Sequence, residues 1–286
     1  GTAIDLAKLI GSIAVHDISS RDIITGVASI NQEGPTLIVI PTTAGTGSEA
    51  THFAVADVQG VNFIVAHVSL LPDIVLLDPQ LTYNLPSKIT AASGLDAFCQ
   101  AVESIWAVGA TNESVEFATR SVKLSLEHLA TAVNSPCPEA RRGMCEAAHL
   151  AGKAINISKT TAPHAISYAI TTHFGVPHGI AVALTIGPML EYNSSVTAAD
   201  CNDPRGCKHV QQRMAVILGL LGGDLQNGLA VIKQLIDGVG GVRSLCEIGA
   251  SSIDSQRLLA TQVNPERLSN NPPTIKPPAI ANILSS

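Results

Sequence analysis

The sequence has few charged residues and little positive charge. Of its 286 residues, 14% are charged and 46% are hydrophobic, which is typical of a globular protein and not of a disordered chain. The formal net charge of −6 argues against a nucleic-acid-binding protein. No apolar run approaches the roughly 20 residues that span a bilayer, and no signal peptide opens the chain. We therefore expect a cytoplasmic protein without a membrane segment.

The six cysteines do not form a CxxC pair, and the chain has no internal repeat and no low-complexity segment. Reduced thiols in a cytosolic protein are the expected state. The length leaves room for one large domain or two smaller ones.

Two histidines lie at the expected starts of two neighbouring helices. His164 and His178 are 178 − 164 = 14 residues apart, and each follows a proline, whose missing N–H costs nothing in a first helical turn. Upstream, Asp96 and Gln100 lie one turn apart on one face of a predicted helix. One carboxylate and two imidazoles fit an open divalent-metal site. The alternative is that the histidines only cap helices and that Asp96 pairs with an arginine.

A loop rich in glycine and threonine follows the first predicted strand. The apolar run at residues 36–40 predicts a strand buried on both faces of a parallel sheet, and the loop occupies residues 41–49. Glycine permits close backbone approach and hydroxyl groups donate hydrogen bonds, so this loop suits a phosphate or a nicotinamide ribose. A solvated turn is the alternative. We also predict a hairpin around residues 59 and 60 and a second buried strand at residues 73–78.

A domain boundary is predicted at Leu85-Pro-Ser87, because strand signals nearly vanish beyond it and helical periodicity begins. The predicted domains are residues 1–86 and 87–286. Helices are expected over residues 89–108, 115–133, 138–157, 164–172, 179–192, 211–221 and 224–238. The tail at residues 270–278 is predicted to be a linker that proline keeps from being helical, with one last turn at residues 280–284.

Four separated stretches resemble the iron-containing (group III) alcohol dehydrogenase family, in the family's order. Residues 94–103 resemble its GxDAxxHAxE helix, residues 160–164 its histidine-bearing helix start, residues 175–184 its PHGxA segment and residues 41–49 its PTTxGTGSE loop. The resemblance implies a dehydroquinate synthase-like fold of class α/β plus all-α. In that fold a Rossmann-like parallel sheet precedes a helical metal-binding domain, and the active site lies in the cleft between them. The family often dimerises, so a homodimer is a further expectation.

The first residues resemble the family's GGGSxxDxAK segment with its leading glycines removed. We therefore expect the nucleotide-binding part to be incomplete at its N-terminus and the sequence to be a fragment. The resemblance implies NAD or NADP as cofactor, held by the start of the first helix and by the glycine-rich loop. The cofactor contacts that it implies are Gly1, Thr2, Asp5, Thr42, Thr43, Gly45, Thr46, Gly47 and Ser48.

Carried over residue by residue, the family pattern implies Asp96, His164 and His178 as metal ligands. Gln100 stands where the family usually has a histidine, and is expected to be a weak amide ligand or to hold a metal-bound water. The set also resembles zinc-using glycerol dehydrogenases, so Fe²⁺ or Zn²⁺ is expected. Tyr168 replaces another family histidine and can relay the proton, unless it is only a packed ring.

The resemblance implies NAD(P)-linked reduction of a small aldehyde. Lys159, with the hydroxyls of Ser158, Thr160 and Thr161, can hold a phosphonate, phosphate or carboxylate, the alternative being a helix N-cap with a solvated lysine. The stretches around Asp96 and His164 are most similar to the phosphonoacetaldehyde reductase branch, which forms 2-hydroxyethylphosphonate. Further candidates for binding the anion are Arg141, Lys153 and Arg205.

Three rival interpretations remain open at this point. Gln100 favours a glycerol or other polyol dehydrogenase, whereas Lys159 disfavours it. A lyase resembling dehydroquinate synthase needs a more basic pocket than this chain offers. A degenerate, non-catalytic paralogue that has lost a ligand histidine would bind no stoichiometric metal.

Overall fold

The structure, a computed structural model, describes residues 1–59, 61–263 and 268–285, without the side chains of residues 62 and 285. A small α/β region comes first, and helices follow from residue 87 onwards. The predicted hairpin is present as two antiparallel strands, but Gly60 of its turn lies outside the described residues.

The described residues of the α/β region form two α-helices and four strands, besides short 3-10 turns. Its elements are α1 (Thr2–Ile13), α2 (Ser20–Ile24), β1 (Ile38–Val39), β2 (Phe53–Val58), β3 (Val61–Ala66) and β4 (Ile74–Val75). β1 and β4 run parallel, with Ile38 opposite Ile74, and β2 pairs antiparallel with β3. The short helix α2 was not predicted, because five residues are too few to show a helical period.

The prediction that β1 and β4 are buried on both faces is wrong for the described residues. Ile38 is 58% exposed and Ile74 is 52% exposed, while Val39 is only 4% exposed. Each strand has two residues and pairs only with the other within the described part of the chain. Two short strands do not provide the layers that cover both faces of a parallel sheet.

Nine helices are described in the rest of the chain. They are α3 (Ser87–Trp106), α4 (Asn112–Asn134), α5 (Pro138–Ser158), α6 (Ala162–Phe174), α7 (His178–Ser194), α8 (Cys207–Leu220), α9 (Leu225–Gly238), α10 (Ile253–Thr261) and α11 (Pro277–Ser285). The structure confirms every predicted helix, with ends shifted by a few residues. α10 was not predicted, although the hydroxyl of Ser252 caps it by accepting from the backbone N–H of Ser255.

α3 is the central helix of the helical region. It packs against α4, α5, α7 and α8, and its side chains are buried on almost every side. Leu95, Phe98 and Ile105 are at most 1% exposed. A helix that is buried all round belongs to the interior of a protein, so the polar residues in the buried part of α3 face other protein groups and not solvent.

Two separate hydrophobic clusters stabilise the described residues. The larger one joins α3 to the helices that follow it. The smaller one unites α1 with the β2–β3 hairpin through Leu9, Ile23, Ala54, Val65 and Leu70. The division into residues 1–86 and 87–286 stays a prediction, and α3 begins at Ser87.

The sequence predicted the proline-rich tail to be a linker, but in the structure the tail is bonded to other parts of the chain. Asn271 is fully buried, and its amide donates to Asn193 Oδ1 at 2.9 Å and to Pro273 O at 3.2 Å. Pro273 also forms an isolated antiparallel bridge with Cys201. α11 begins at Pro277, earlier than predicted, because proline is tolerated in a first helical turn.

Within the described residues, no single helix is both long and apolar enough to cross a membrane. α8 and α9 together satisfy the length and composition requirement, but they are bent by 54° at the break between them.

A buried lysine fixes the contact between α1 and the glycine-rich loop. Lys8 is 2% exposed, and its Nζ donates to the carbonyl oxygens of Ser48 at 2.6 Å, Phe53 at 2.7 Å and Thr51 at 2.8 Å. Burial lowers the pKa of Lys8 from 10.5 to about 8, although the nearby charges of Asp5 and Glu49 raise it. The folded protein therefore holds a desolvated ammonium group at neutral pH.

The stability contributed by Lys8 is expected to rise with pH. Between pH 8 and 10.5 the unfolded chain binds a proton that the folded chain does not bind, so unfolding is progressively disfavoured. The unfolding free energy of the wild type minus that of Lys8→Met should increase by on the order of 3 kcal/mol across this range. Urea denaturation at several pH values measures it. A difference that does not change with pH would contradict the lowered pKa.

Candidate metal centre

α3 supplies three polar side chains to one buried face. Asp96 is 3% exposed, Gln100 is 4% exposed and Glu103 is fully buried. They lie four and then three residues apart, which places them along one side of a helix. Because α3 is otherwise surrounded by apolar groups, this face is where its polar atoms must find partners.

α6 and α7 bring the two histidines to this face. His178 is the first residue of α7 and follows Pro177, while His164 lies in the first turn of α6 beside Pro163. The close approach of α7 to α3 depends on Gly179, where an added Cβ would lie 2.9 Å from Asp96 Cβ. The structure thus places both predicted helix starts against the predicted carboxylate.

The ligand atoms of Asp96, His164 and His178 all lie within 4.8 Å of one another. Asp96 Oδ1 is 3.2 Å from His164 Nε2 and 3.8 Å from His178 Nε2. The two imidazole rings meet nearly edge to face, with centroids 5.4 Å apart. Within the described residues, Asp96 pairs with these two histidines and not with an arginine, which was the alternative left open by the sequence.

Each imidazole has a hydrogen-bond partner on Nδ1, the ring nitrogen that does not face Asp96. Glu103 accepts a very short hydrogen bond from His164 Nδ1. Ser167 donates its own hydroxyl proton to His164 O at 2.8 Å, so its oxygen accepts from His178 Nδ1 at 3.3 Å. With a metal bound, both histidines would carry their proton on Nδ1 and offer the Nε2 lone pair, which is the arrangement that metal-binding histidines show.

No role was predicted for Glu103 from the sequence, although its spacing from Asp96 could have indicated one. Glu103 lies 103 − 96 = 7 residues after Asp96, two turns along the same face of an otherwise apolar helix. Its Oε2 accepts from the backbone N–H of Thr161 at 2.7 Å and from the hydroxyl of Thr161 at 2.8 Å. The carboxylate therefore joins the turn before α6 to the imidazole of His164.

The electrostatics of the site favour a bound cation. Burial opposes a charge on His164, but the charge of Glu103 and hydrogen bonds to Asp96 and Glu103 raise its pKa to about 10. Burial likewise opposes charge on Asp96, yet hydrogen bonding to His164 and the charge of His178 hold its pKa below the usual value. Without a metal, two carboxylates thus attract a proton to the position between Asp96 and His164.

The donor set fits a divalent transition metal. A carboxylate oxygen and two imidazole nitrogens suit Fe²⁺ and Zn²⁺. Gln100 donates its amide N–H to Thr46 O at 3.3 Å, while its buried Oε1 has no hydrogen-bond partner among the described residues. An unpaired buried acceptor is unfavourable, and a metal ion or a metal-bound water beside Asp96 would satisfy it.

The glycine-rich loop packs closely against two helices. At Gly45 an added Cβ would lie 2.5 Å from Ser93 Cβ on α3. At Gly152 on α5 an added Cβ would lie 2.6 Å from Gly47 O, and Gly47 has a φ of 63°. Glycine is required at these contacts because the backbones themselves touch.

The start of α1 meets this loop, as the predicted cofactor contacts require. Asp5 accepts a very short hydrogen bond from the hydroxyl of Ser48, and the backbone N–H of Ser48 donates to Thr46 Oγ1 at 3.3 Å. An added Cβ at Gly1 would lie 3.1 Å from Thr46 Cγ2. Through Thr46 O and Gln100, the loop is joined to the candidate metal site. The remaining predicted contacts have exposed or half-buried side chains and are Thr2, Thr42 and Thr43.

The predicted anion-binding stretch is only partly available to a ligand. The hydroxyl of Ser158 donates to Ala154 O at 3.0 Å, and that of Thr161 is taken up by Glu103. Lys159 is exposed and caps the C-terminus of α5. Lys159 and Thr160 are therefore the members of the stretch that remain for an anion.

The three further cations considered for the anion are engaged elsewhere. Arg141 is buried and donates to Thr90 Oγ1 at 2.7 Å. Lys153 lies over the ring of Phe117, with Nζ 4.1 Å from the centroid. Arg205 pairs with Asp203 at 2.7 Å. Tyr168 is half-buried, and its ring centroid lies 5.4 Å from that of His178.

Comparison with protein families matches the two parts of the chain separately. Residues 1–79 match the family described as "Iron-containing alcohol dehydrogenase". Residues 90–286 match the family described as "Fe-containing alcohol dehydrogenase family, C-terminal".

Curated relatives include a phosphonoacetaldehyde reductase from Streptomyces viridochromogenes, which is 32% identical over 99% of this chain and 73% of its own length. A long-chain-alcohol dehydrogenase from Geobacillus thermodenitrificans is 36% identical over 78% of this chain and 54% of its own length.

Solved structures share the fold. The sulfoacetaldehyde reductase of Bifidobacterium kashiwanohense, in complex with NAD⁺, has a TM-score of 0.89 at 30% identity, covering 100% of this chain and 74% of that one. An iron-containing alcohol dehydrogenase of Thermotoga maritima has a TM-score of 0.82 at 26% identity, covering 99% of this chain and 72% of that one.

Proposed function

Because the chain belongs to the iron-containing alcohol dehydrogenase family and is an enzyme of that type, we propose that it reduces a small anionic aldehyde with a nicotinamide cofactor. The family and the fold class predicted from the sequence are confirmed. The observation that carries the proposal is the convergence of Asp96, His164 and His178 within 4.8 Å.

We propose that these three residues hold one Fe²⁺ or Zn²⁺ ion. When bound, the metal supplies a Lewis acid that polarises the substrate carbonyl for hydride transfer. Asp96 contributes negative charge, and Glu103 and Ser167 accept the Nδ1 protons of the histidines, which leaves the Nε2 atoms to bind the metal. Gln100 Oε1 is proposed as the fourth donor atom of the site, either as a ligand or as the partner of a metal-bound water.

The cofactor is proposed to bind where the glycine-rich loop meets the start of α1. The first N–H groups of a helix have no partner within the helix and favour an anion such as a pyrophosphate. Asp5 fixes the hydroxyl of Ser48 there, and Gln100 fixes Thr46 at the side nearest the metal. The cofactor is proposed to be NAD or NADP, and the similar sulfoacetaldehyde reductase is an NAD⁺ complex.

We propose an anionic substrate because Lys159 offers a positive charge that can bind it. Its exposed ammonium group stands five residues before His164, and no interaction within the described residues uses its charge. Two similar enzymes carry the names of phosphonoacetaldehyde and sulfoacetaldehyde reductases, so both substrates belong to the proposed class. Tyr168 beside His178 is proposed to hold the proton that the product alcohol receives.

Metal content measured by elemental analysis tests the site. We expect about one iron or zinc per chain in the wild type and a loss of that metal in Asp96→Ala and His178→Ala, because removing one of three ligands leaves an incomplete site. His173→Ala is the matched control, since His173 is an exposed histidine on α6. Absence of metal from the wild type, even after incubation with iron or zinc, would reject the proposal in favour of a degenerate paralogue.

An oxidation assay with NADH and with NADPH tests the reaction and the substrate class. We expect phosphonoacetaldehyde or sulfoacetaldehyde to be reduced with a kcat/KM about tenfold or more above that of propanal, since one charged contact is worth about 1.4 kcal/mol or more. Equal values for charged and neutral aldehydes would remove the anionic class and leave a general alcohol dehydrogenase.

A further inference from the structure

Asn270, in the tail beyond the helical bundle, is bonded to two turns from other parts of the chain. Its amide nitrogen donates to Ser158 O at 2.8 Å and to Thr160 O at 2.9 Å. Its amide oxygen accepts from the backbone N–H of Gly109 at 2.8 Å. Both amide protons and the amide oxygen are therefore used, and the tail is fastened to the turn that precedes α6.

Lys159, which lies between the two residues whose carbonyls Asn270 bonds, has an unfavourable backbone conformation. Lys159 has a φ of 59° and a ψ of 177°, a region that is essentially restricted to glycine. Such a conformation persists only when its surroundings hold it in place. Asn270 bonds the carbonyls on both sides of Lys159, and the turn at Gly109 lies so close that an added Cβ would be 2.8 Å from Ser158 O.

The next residues lead from this turn to the candidate metal ligand. Thr161 donates both its backbone N–H and its hydroxyl to Glu103, and Glu103 accepts from His164 Nδ1. The indole N–H of Trp106 donates to the same hydroxyl at 2.8 Å. A relaxation of Lys159 towards ordinary backbone angles would turn the chain at Thr160 and withdraw Thr161 from Glu103.

We propose that Asn270 is a positioning residue for the metal centre. It holds Lys159 in this positive-φ conformation, which keeps Thr161 bonded to Glu103 and Glu103 bonded to His164. This inference rests on the proposed function, because it requires the metal that the function assigns to Asp96, His164 and His178. It assigns to the tail a part in the active site that the sequence did not indicate.

Zinc affinity of the metal-free full chain is the measurement that tests this proposal. Competition with a chromophoric chelator gives the Kd without substrate or cofactor. Asn270→Ala is expected to weaken Zn²⁺ binding about tenfold, as loss of a group that orients a ligand does. Asn271→Ala is the matched control, because its buried amide bonds Asn193 and not the turn. Its Kd should stay within about twofold of the wild type, because its amide makes no bond to the turn that carries Lys159.

A second substitution separates positioning from general loosening of the fold. Glycine adopts positive φ without strain, so Lys159→Gly combined with Asn270→Ala should restore most of the lost zinc affinity. An unchanged Kd in Asn270→Ala, or no recovery in the double variant, would overturn the inference while leaving the proposed function standing. A wild type that binds no zinc or iron would overturn both.

Discussion

Replacing Gly179 with alanine is expected to abolish stoichiometric metal binding and to destabilise the fold. The added Cβ would overlap the carbonyl oxygen of Ala92 and lie 2.9 Å from both Asp96 Cβ and Asp96 N. These are backbone or near-backbone atoms of α3, which cannot rotate away as the end of a side chain can. α7 must therefore retreat, and His178, the residue before Gly179, moves with it.

Overpacking of this kind costs typically about 1–3 kcal/mol, and more when backbone atoms are involved. We expect a loss in this range from denaturant unfolding of Gly179→Ala. The metal affinity should fall by about 100-fold or more, because two ligands on α3 and α6 without His178 do not complete a site. Titration of the metal-free variant with Zn²⁺ measures this.

Gly187→Ala is the control for this prediction, since it lies on the same helix. An added Cβ there would lie 3.8 Å from Leu229 and 4.0 Å from Ile232, which is ordinary van der Waals contact. Alanine is also the better helix former, by roughly 0.5–1 kcal/mol. The control should bind metal normally. Normal binding by Gly179→Ala as well would show that α7 can shift without moving His178 away from Asp96.

The contrast between these two glycines shows what sequence patterns can and cannot provide. The spacing of Asp96, His164 and His178, with the prolines before the histidines, predicted which helices bring these side chains together, whereas the choice of a metal site over helix caps depended on the family resemblance. Helical periodicity in the sequence also predicted the helices α3 to α9. No pattern indicates, however, that Gly179 touches a carbonyl of α3 while Gly187 does not, because that depends on where two helices cross.

Polar contacts between residues far apart in the sequence could not be predicted from the sequence either. Asn270 lies in a proline-rich tail that was predicted to be a linker, because proline excludes helix and such segments usually stay unpacked. Nothing in its sequence indicates two carbonyl partners more than 100 residues away. The predicted burial of β1 and β4 was wrong for a related reason, since an apolar run indicates a preference for burial but not which neighbours provide it.

Glu103→Gln is expected to weaken metal binding by about 10–100-fold while keeping the shape of the side chain. Glu103 serves three donors, two from Thr161 and one from His164. An amide offers one acceptor oxygen and one donor NH₂ group. If its oxygen faces Thr161, the NH₂ group faces Nδ1 of His164 and forces the proton to Nε2, where the metal should bind.

The opposite orientation of the side-chain amide in Glu103→Gln also leaves a donor without an acceptor. With its oxygen towards His164, the NH₂ group would face the backbone N–H of Thr161, so two donors would oppose each other in a buried site. Such an unpaired group costs about 1–3 kcal/mol. Glu103→Ala would leave all three donors without a partner and is expected to fold poorly, which makes the glutamine variant the informative one.

Zinc titration together with imidazole ¹⁵N chemical shifts checks this prediction, because the shifts report which nitrogen of His164 carries the proton. Glu116→Gln is the matched control, since Glu116 is exposed near the N-terminal end of α4 and its replacement makes the same change of charge outside the candidate metal site. The weakened affinity should accompany a change of tautomer in the Glu103 variant alone. Unaltered shifts and affinity there would mean that the geometry of the turn, and not the charge of Glu103, orients His164. The proposed role of Asn270 would then have to act on the imidazole through packing alone.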